Sequence, residues 1–272
     1  MRIRGVPAVA NTVRSEALVL RRFRHGETSL VVHAFTREYG RVPFIAKGAR
    51  AGGKRPPVPL VPVVLLEFLW APSTRSELQL LRDTSLLDSF GSIHDSFESL
   101  VWAQAALEVL ARVLADQDKH ETLFQLTLDY FRALGASSEK AENLFITYRL
   151  RVLEQMGYRM ETSTPEGKGT GLFFLPAEGR AVQRGRDNAT GLPLDLGAWK
   201  LLSMLDTSNF ETIRRVRLNK ESLGQIRRVL DAAYGYAFER WKPLDSLKLL
   251  NPTTEKHGNP ADTRIGESTE GR

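Results

Sequence analysis

Residues 17–46 contain three short apolar runs, which read ALVL at 17–20, LVVHAF at 30–35 and VPFIA at 42–46. The runs are rich in the β-branched and aromatic residues that favour strands. Turns that contain glycine separate them, at His25-Gly26 and at Tyr39-Gly40. This stretch therefore predicts consecutive short β-strands joined by tight turns.

Two more apolar runs follow, at 63–70 and 78–81, and bring the predicted number of strands to five. Five short strands are too few for a sandwich and suit a small closed barrel, for which the five-stranded OB-fold is the obvious candidate. Residues 47–57, between the third and fourth runs, are rich in glycine, proline and basic side chains. That composition predicts a flexible basic loop.

The spacing of apolar residues changes after about Ser92. They now recur at steps of three and four residues, which is typical of amphipathic helices. The predicted helices cover 97–114, 123–134, a segment that begins after Ser137-Ser138 and ends at Gly157, and 223–241, which Pro243 terminates.

The fold class predicted from these patterns is α+β, in several domains. Residues 161–194 are rich in Gly, Thr and Pro and contain one strand-like patch, LFFL at 172–175, so they form either a poorly packed connector or a small irregular insertion. The predicted boundaries are a flexible N-terminus (1–13), an N-terminal five-stranded OB-fold barrel (14–88), the first part of an all-α helical domain (89–160), the insertion (161–194), the second part of the helical domain (195–250) and a disordered tail (251–272).

Composition excludes several classes of protein. The chain has 272 residues and no cysteine, which rules out disulfides, thiol nucleophiles and thiolate zinc sites. Its longest nearly unbroken apolar run, at 60–70, is far shorter than the roughly 20 residues of a membrane span. The N-terminus has no apolar segment of signal-peptide length. We therefore expect a soluble, cytoplasmic protein.

The net charge of +6 is unevenly distributed along the chain. Residues 1–55 hold 12 Lys and Arg against 3 Glu, a net charge of +9, whereas the remaining 26 basic and 29 acidic residues carry a net charge of −3. A domain this basic is expected to attract a polyanion, of which nucleic acid is the leading candidate. A solvated basic face with no ligand is the alternative.

No arrangement of residues predicts catalysis. The five histidines are scattered without the spacing of a metal site, and the glycine-rich loop at 167–171 lacks the full spacing of a phosphate-binding loop. Paired carboxylates would need a cleft that nothing in the sequence specifies. We therefore expect no catalytic residue, no bound metal and no cofactor, and the enzyme hypothesis is the weaker one.

The N-terminal domain instead places cations close to aromatic residues. Arg21 and Arg22 point to opposite faces of the first strand, so at least one of them faces away from the core. Bases can stack on exposed rings while guanidinium groups neutralise phosphates. Phe35 and Phe44 alternate with polar neighbours as core residues do, which leaves Tyr39, at a turn, as the better candidate for stacking.

Several motifs together resemble the RecO family, a family of bacterial recombination mediators. The resemblance covers residues 14–158 well and 195–250 more loosely, and its combination of short motifs is specific. The motifs are RSEALVL at 14–20, GETSL at 26–30, FTREYGR at 35–41, AKGAR at 46–50 and YRLRVLEQMGY at 148–158.

The resemblance implies a non-catalytic role in DNA repair. It implies binding of single- and double-stranded DNA, annealing of complementary strands and, together with RecR, loading of RecA onto DNA coated by single-stranded-DNA-binding protein (SSB). The positions that match the motifs and are implied to contact DNA are Arg14, Arg37, Arg41, Lys47 and Arg50. Four arginines and a lysine are added on charge alone, namely Arg21, Arg22, Arg24, Lys54 and Arg55.

Family members also dock the acidic C-terminal tail of SSB on the helical domain. The resemblance implies that Arg151, with its neighbour Arg149, contacts this tail, since a tail that ends in a carboxylate and an apolar group requires a cation beside an apolar groove. The alternative is that both arginines are ordinary helix-surface charges. Whether Arg214-Arg215-Val216-Arg217 and Arg227-Arg228 extend the DNA path is left open.

One departure from the family concerns metal. Many RecO proteins place a four-cysteine zinc module after the Gly-Tyr helix stop, but residues 161–194 hold no cysteine. The insertion is therefore predicted to be zinc-free. Either apolar contacts around 172–175 hold a small fold together, or the module has shrunk to a loop.

A second class of function remains open. The chain could be a non-catalytic adaptor whose basic barrel binds an acidic protein partner in place of DNA. The salt dependence of DNA binding separates the two hypotheses, because phosphate neutralisation gives a linear fall of log affinity with log salt.

Overall fold

A computed structural model of the chain describes residues 12–50, 60–73, 76–136, 139–165, 171–183, 191–213, 216 and 219–250. Several predictions lie outside these residues and stay predictions. They concern residues 1–11, residues 51–57 of the basic loop with Lys54 and Arg55, Ser137-Ser138, residues 167–170 of the glycine-rich loop, Arg214, Arg215, Arg217 and the tail 251–272.

The N-terminal part is a closed five-stranded barrel, as predicted. The strands pair in the order β1-β2-β3-β5-β4, and β4 pairs back on β1 to close the barrel. All neighbours are antiparallel except β3 and β5, which run parallel. This is the strand order of an OB-fold. The strands are β1 (Val13–His25), β2 (Ser29–Thr36), β3 (Gly40–Ala46), β4 (Leu65–Ala71) and β5 (Gln79–Asp88).

The first strand contributes to two hydrophobic cores because successive side chains point to opposite faces. Ala17 and Val19 lie in the barrel interior. Leu18 and Leu20 face outward and belong to the core of the helical region. The register then shifts between Val19 and Arg21, and from Arg21 to His25 the strand is exposed on both faces. Both Arg21 and Arg22 therefore reach solvent.

The predicted burial of two phenylalanines is confirmed, although they lie in different cores. Phe44 is fully buried inside the barrel, where it packs edge-on against Phe68 with ring centroids 5.1 Å apart. Phe35 is fully buried on the outer face, against Phe124 of the helical region at 5.3 Å. The barrel therefore shares a continuous core with the helices.

The helical region that follows is also confirmed. Ser96 caps the second helix by accepting a hydrogen bond from the Ser99 backbone N–H, and Gly157, at φ +85°, terminates the fourth as glycine does in left-handed helix stops. The helices are α1 (Gly91–His94), α2 (Phe97–Val113), α3 (Glu121–Ala136), α4 (Ala141–Gln155), α5 (Leu196–Thr207), α6 (Phe210–Ile213) and α7 (Lys220–Ala237), with a 3₁₀ turn at Ser246–Leu249.

The last long helix ends earlier than its apolar pattern predicts. It stops at Ala237, and Phe238 is already extended. Phe238 and Trp241 instead fold back on Tyr234, with ring centroids 5.5 Å and 4.3 Å from it. Packing of three aromatic rings outweighs continuation of the helix, because each ring buries a large apolar area.

Residues 172–194 include a three-stranded antiparallel sheet, in the order β7-β6-β8. Its strands are β6 (Leu172–Leu175), β7 (Arg180–Gln183) and β8 (Leu192–Leu194). Phe174 of β6 is fully buried against Trp199 of α5, with ring centroids 6.0 Å apart. Within the described ranges, no group of three or more His, Asp or Glu side chains is placed to hold a metal ion. Of the two alternatives for this insertion, the described residues thus form a small fold held by apolar contacts.

The described helices were compared with the requirements for a membrane span. None of them has both the length and the apolar character that crossing a bilayer requires.

Candidate nucleic-acid interface and peptide cavity

One end of the barrel gathers cations from β1 and from the turn after β3. Arg24 pairs with Leu30, which in turn pairs with Ala46, so the β1–β2 turn lies beside the end of β3. Arg50, in the turn after β3, connects this turn to the β1–β2 turn. Its backbone N–H donates to the Thr28 carbonyl at 2.9 Å, and its guanidinium donates to the Gly26 carbonyl at 3.2 Å. We call this cluster the basic end, and its members are Arg21, Arg22, Arg24, Lys47 and Arg50.

The cations of the basic end are exposed and have no acidic partner among the described residues, although Arg22 and Arg50 donate to the carbonyls of Leu60 and Gly26. All five are exposed. None of them lies within ion-pair distance of a carboxylate among the residues that the structure describes. Unneutralised cations clustered on the two faces of one strand end concentrate positive potential around that end of the barrel.

An exposed aromatic ring accompanies these cations and was not among the predicted site residues. Phe23 is 50% exposed and packs edge-on against His33, with ring centroids 5.8 Å apart. The pKa of His33 lies below its ordinary value of 6.5, mainly because the ring is partly buried and also because the positive charge of Arg41 is near. The sequence signal was the run RRFRH at 21–25, where cations surround the phenylalanine on both faces of the strand.

Two of the predicted DNA contacts lie instead where the barrel meets the helices. Arg37 donates to Glu16 at 2.7 Å and to Gln125 of α3 at 3.2 Å, and its guanidinium lies 4.9 Å from the centre of the Phe124 ring. Arg41 donates to Asp116 at 2.6 Å and to the Ala111 carbonyl at 3.1 Å. Their side chains are only 20% and 23% exposed. We call this region the junction; DNA contact by either arginine stays a prediction.

Arg14 and Tyr39, two further predicted DNA contacts, do not belong to the basic end. The Arg14 side chain is 66% exposed but forms an ion pair with Glu67 at 2.5 Å. Tyr39 is half-buried, with its ring set edge-on to that of Trp70 at 5.2 Å. Both lie away from the basic end, since Val13 at the start of β1 pairs with Trp70.

The helical region holds a cavity of about 290 Å³ with a cation at its wall. Arg149 of α4 is 4% exposed, and it pairs with Asp231 of α7 at 2.8 Å. Its guanidinium lies 4.6 Å from the centre of the Tyr234 ring, and its Nε has no hydrogen-bond partner among the described residues. Asp231 also lines this peptide cavity, and so does Glu142, which pairs with Arg227 at 2.5 Å. The other lining residues are Trp102, Phe145, Ile146, Pro243, Leu244, Leu247 and Lys248.

One wall of the peptide cavity is the segment after α7, and Glu108 of α2 holds it in place. The carboxylate accepts hydrogen bonds from the Asp245 backbone N–H and the Ser246 backbone N–H, each at 2.9 Å, and from the Ser246 hydroxyl at 2.7 Å. Arg112 pairs with Glu108 and donates to the Lys242 carbonyl. The cavity is therefore bounded by a fixed wall.

Arg151, which was predicted to act beside Arg149, lies on a different side of α4. Two residues along a helix differ by about 200°. Arg151 donates to the Ser208 carbonyl at 2.6 Å, and its guanidinium lies 4.6 Å from the centre of the Phe210 ring. Burial lowers its pKa. The structure therefore separates the two arginines; a role for Arg151 in tail binding stays a prediction.

Comparison with known proteins matches almost the whole described chain. A model of the Recombination protein O N terminal domain matches residues 10–90, and a model of the Recombination protein O C terminal domain matches residues 94–247. The barrel and the helical region thus each match one of two adjacent family domains.

Individual relatives also match over most of the chain. A DNA repair protein RecO of Actinobacillus pleuropneumoniae is 30% identical over 72% of this chain and 83% of its own length. That of Syntrophobacter fumaroxidans is 29% identical over 88% of the chain and 97% of the relative. That of Bacillus pumilus is 26% identical over 82% of the chain and 88% of the relative.

Proposed function

This chain belongs to the RecO family of DNA repair proteins, and from that premise we propose that it is a non-catalytic recombination mediator. It binds single- and double-stranded DNA without sequence specificity and anneals complementary strands. With RecR it helps to load RecA onto single-stranded DNA coated by SSB. Its place of action is the cytoplasm, on the nucleoid.

The observation that carries the DNA-binding proposal is the basic end. Five exposed cations converge there without a carboxylate partner among the described residues. Phosphate contacts by flexible basic side chains supply affinity without reading sequence. Phe23, exposed among these cations, offers a ring on which any base can stack.

The peptide cavity supports the second part of the proposal, which is docking of the acidic SSB tail. A tail that ends in an apolar residue and a carboxylate needs a cation beside apolar walls. The cavity has Arg149, Arg227 and Lys248 beside the rings and aliphatic side chains that line it. Each of these cations is ion-paired, with Asp231, Glu142 and Asp245 respectively, so the tail carboxylate would have to displace one of these partners. Charge-assisted hydrogen bonds to a carboxylate are about twice as strong as neutral ones.

The DNA proposal is tested by a salt titration of oligonucleotide binding, followed by fluorescence anisotropy. Each phosphate contact to a single strand contributes about 0.7 to the slope of log affinity against log salt. Arg21→Ala with Arg24→Ala is therefore expected to lower the slope by about 1.4 for every sequence alike. The matched control is Arg132→Ala with Arg159→Ala, which removes two exposed cations of the helical region and leaves the slope unchanged.

Two results would contradict the DNA proposal. The first is no detectable binding to any oligonucleotide at about 50 mM salt, where phosphate contacts are strongest. Binding of an acidic protein by the same cations would then favour the adaptor hypothesis. The second is a loss of affinity for some sequences only, which would mean that these arginines read bases.

Docking of the tail is tested with a synthetic SSB tail peptide and isothermal titration calorimetry. Lys248→Glu places a negative charge at the rim of the cavity, on an exposed residue, and should weaken binding at least tenfold. Arg149→Ala and Arg151→Ala are measured beside it. Arg132→Glu, outside the cavity, is the control. Equal affinity for wild type, Lys248→Glu and Arg149→Ala would place the tail elsewhere.

A further inference from the structure

A second cavity, of about 230 Å³, lies between the barrel and the α2–α3 connection. It belongs neither to the basic end nor to the peptide cavity. The barrel contributes residues of the β2–β3 turn, β3, β4, β5 and the β4–β5 connection, and the helical region contributes two residues of the segment that follows α2. The lining residues are Tyr39, Val42, Trp70, Pro72, Ser73, Gln79, Gln117 and Lys119.

The walls of this cavity are fixed by close backbone contacts. Gly40, at φ +69°, lies so near Asp118 that a Cβ atom at this position would be 2.0 Å from the Asp118 carbonyl oxygen. The Gln117 backbone N–H donates to the Arg41 carbonyl at 2.9 Å. The α2–α3 connection is therefore held against the β2–β3 turn, and Lys119 stays beside Tyr39.

The described residues of the β4–β5 connection are held in place as well. The Gln79 side chain accepts a hydrogen bond from the Ser73 backbone N–H at 2.7 Å and donates to the carbonyls of Ser73 and Ser76, at 3.1 Å and 3.0 Å. Gln79 is thereby committed to the loop and is not the group that selects a ligand. A preformed cavity loses less free energy on binding than one that must first be ordered.

The chemistry of the walls selects a flat ligand with an anionic group. Tyr39 is the half-buried aromatic residue of the lining, whereas Trp70 and Val42 are buried in the barrel core and, with Pro72, make the rest of the wall mainly apolar. Lys119 is exposed and supplies the cation.

The size of the cavity restricts the ligand further. Sites for drug-sized molecules occupy about 300–1,000 Å³, so a cavity of about 230 Å³ accommodates one ring system. A flat ring with an attached anion describes one nucleotide unit of the DNA that the proposed function assigns to the barrel. OB-folds use the β4–β5 loop among their oligonucleotide-binding elements, and Pro72 and Ser73 of that connection line this cavity.

We propose that this cavity accepts one unstacked nucleobase of a bound single strand, set against Tyr39 with its phosphate at Lys119. The inference rests on the proposed function, because the rest of the strand follows the basic end. The two sites lie at opposite ends of β3, about 20 Å apart at about 3.3 Å per residue. The roughly 4–16 nucleotides that one OB-fold binds are enough to reach both sites.

The test compares a 12-nucleotide thymidine strand with a strand of the same length that has abasic sites throughout. Stacking of one base contributes roughly 1–3 kcal/mol, so the wild-type protein should bind the thymidine strand at least fivefold more tightly. Tyr39→Ala should reduce that difference at least fivefold, the share of one stacked base, and leave the affinity for the abasic strand unchanged. Tyr39→Phe keeps the ring and should retain the difference, whereas Phe23→Ala removes the exposed ring of the basic end and measures the share of stacking there.

Photocrosslinking locates the base directly. A thymidine strand that contains 5-iodouracil should crosslink to Tyr39 or Trp70, as read by mass spectrometry of the digested protein. Crosslinks confined to Phe23, with Tyr39→Ala binding both strands as the wild type does, would overturn this inference and leave the proposed function intact. Failure of the wild-type protein to bind either strand would overturn both.

Discussion

The basic end and the junction both carry arginines of the barrel and give them opposite surroundings. Arg21 and Arg24 of the basic end are exposed and have no carboxylate partner among the described residues. Arg37 and Arg41 of the junction are mostly buried and paired with Glu16 and Asp116. A count of charge along the sequence treats all four alike.

The difference shows what makes an arginine available for a polyanion. A guanidinium that is fixed by a carboxylate and by a neighbouring element already has its charge neutralised, and a phosphate would have to displace that partner. An exposed guanidinium without a partner releases DNA counterions on binding and gains affinity directly. The junction therefore mainly supports the fold, and the basic end is the surface to test for DNA.

The sharpest test of this contrast substitutes one phenylalanine in each region. Phe35→Ala removes a fully buried ring from the core shared with Phe124 and should cost about 3–5 kcal/mol of unfolding free energy. Phe23→Ala, at 50% exposure, should cost less than about 1 kcal/mol. Urea denaturation followed by circular dichroism measures both. Similar losses would mean that the basic end is as tightly packed as the junction.

Two glycines provide the next comparison, since both have positive φ. Gly40→Ala combines the left-handed backbone cost with a clash against Asp118, for about 2–4 kcal/mol in total. Gly26→Ala, whose added Cβ would meet nothing within 4 Å, should show the backbone cost alone, about 1–2 kcal/mol. Denaturation midpoints that are equal for the two variants would argue against close contact between Gly40 and the α2–α3 connection.

The arginines themselves give a smaller effect on stability. Arg37→Ala leaves Glu16 and Gln125 without their partner and removes the contact with the Phe124 ring, so it should cost about 1–2 kcal/mol. Arg24→Ala should change stability by less than about 0.5 kcal/mol but reduce the salt slope of DNA binding. If Arg37 also contacts DNA, Arg37→Ala reduces that slope too; an unchanged slope assigns it to the junction alone.

The smallest effect concerns His33, which lies between the two regions. Burial and the Arg41 charge lower its pKa below 6.5, so its neutral form is favoured in the folded state. The associated stability is present above pH 6.5 and falls as the pH drops through 6.5 towards the folded pKa. NMR titration should give a pKa below 6.5, and Arg41→Ala should raise it. Arg14→Ala serves as the control, and an equal shift there would exclude a specific effect of Arg41.

Much of the fold was predictable from local pattern. Alternating apolar runs such as LVVHAF at 30–35 and three- and four-residue spacing after residue 92 indicate strands and helices directly. The end of α7 was not predictable in this way, because Trp241 continues the helical spacing. Only its packing on Tyr234, at 4.3 Å, shows that the chain has already left the helix.

The candidate sites were predictable in part. Charge located the basic segment, and the resemblance drew attention to Arg149. The pairing of Arg37 with Gln125, and the placement of Lys119 beside Tyr39, depend on contacts between residues about 80 positions apart. No local pattern encodes such a contact, so the composite cavity was missed.

The sequence by itself determined the five barrel strands, the four long helices, the concentration of positive charge and the absence of cysteine, because each follows from residue type and short-range spacing. It did not indicate β7, β8 or α5. Tertiary structure alone decided which cations have no acidic partner, and that Arg149 and not Arg151 lines the peptide cavity. It also decided where the barrel and the helices enclose the second cavity. The physical reason is that exposure and pairing depend on what packs against a side chain, and those neighbours come from distant parts of the chain.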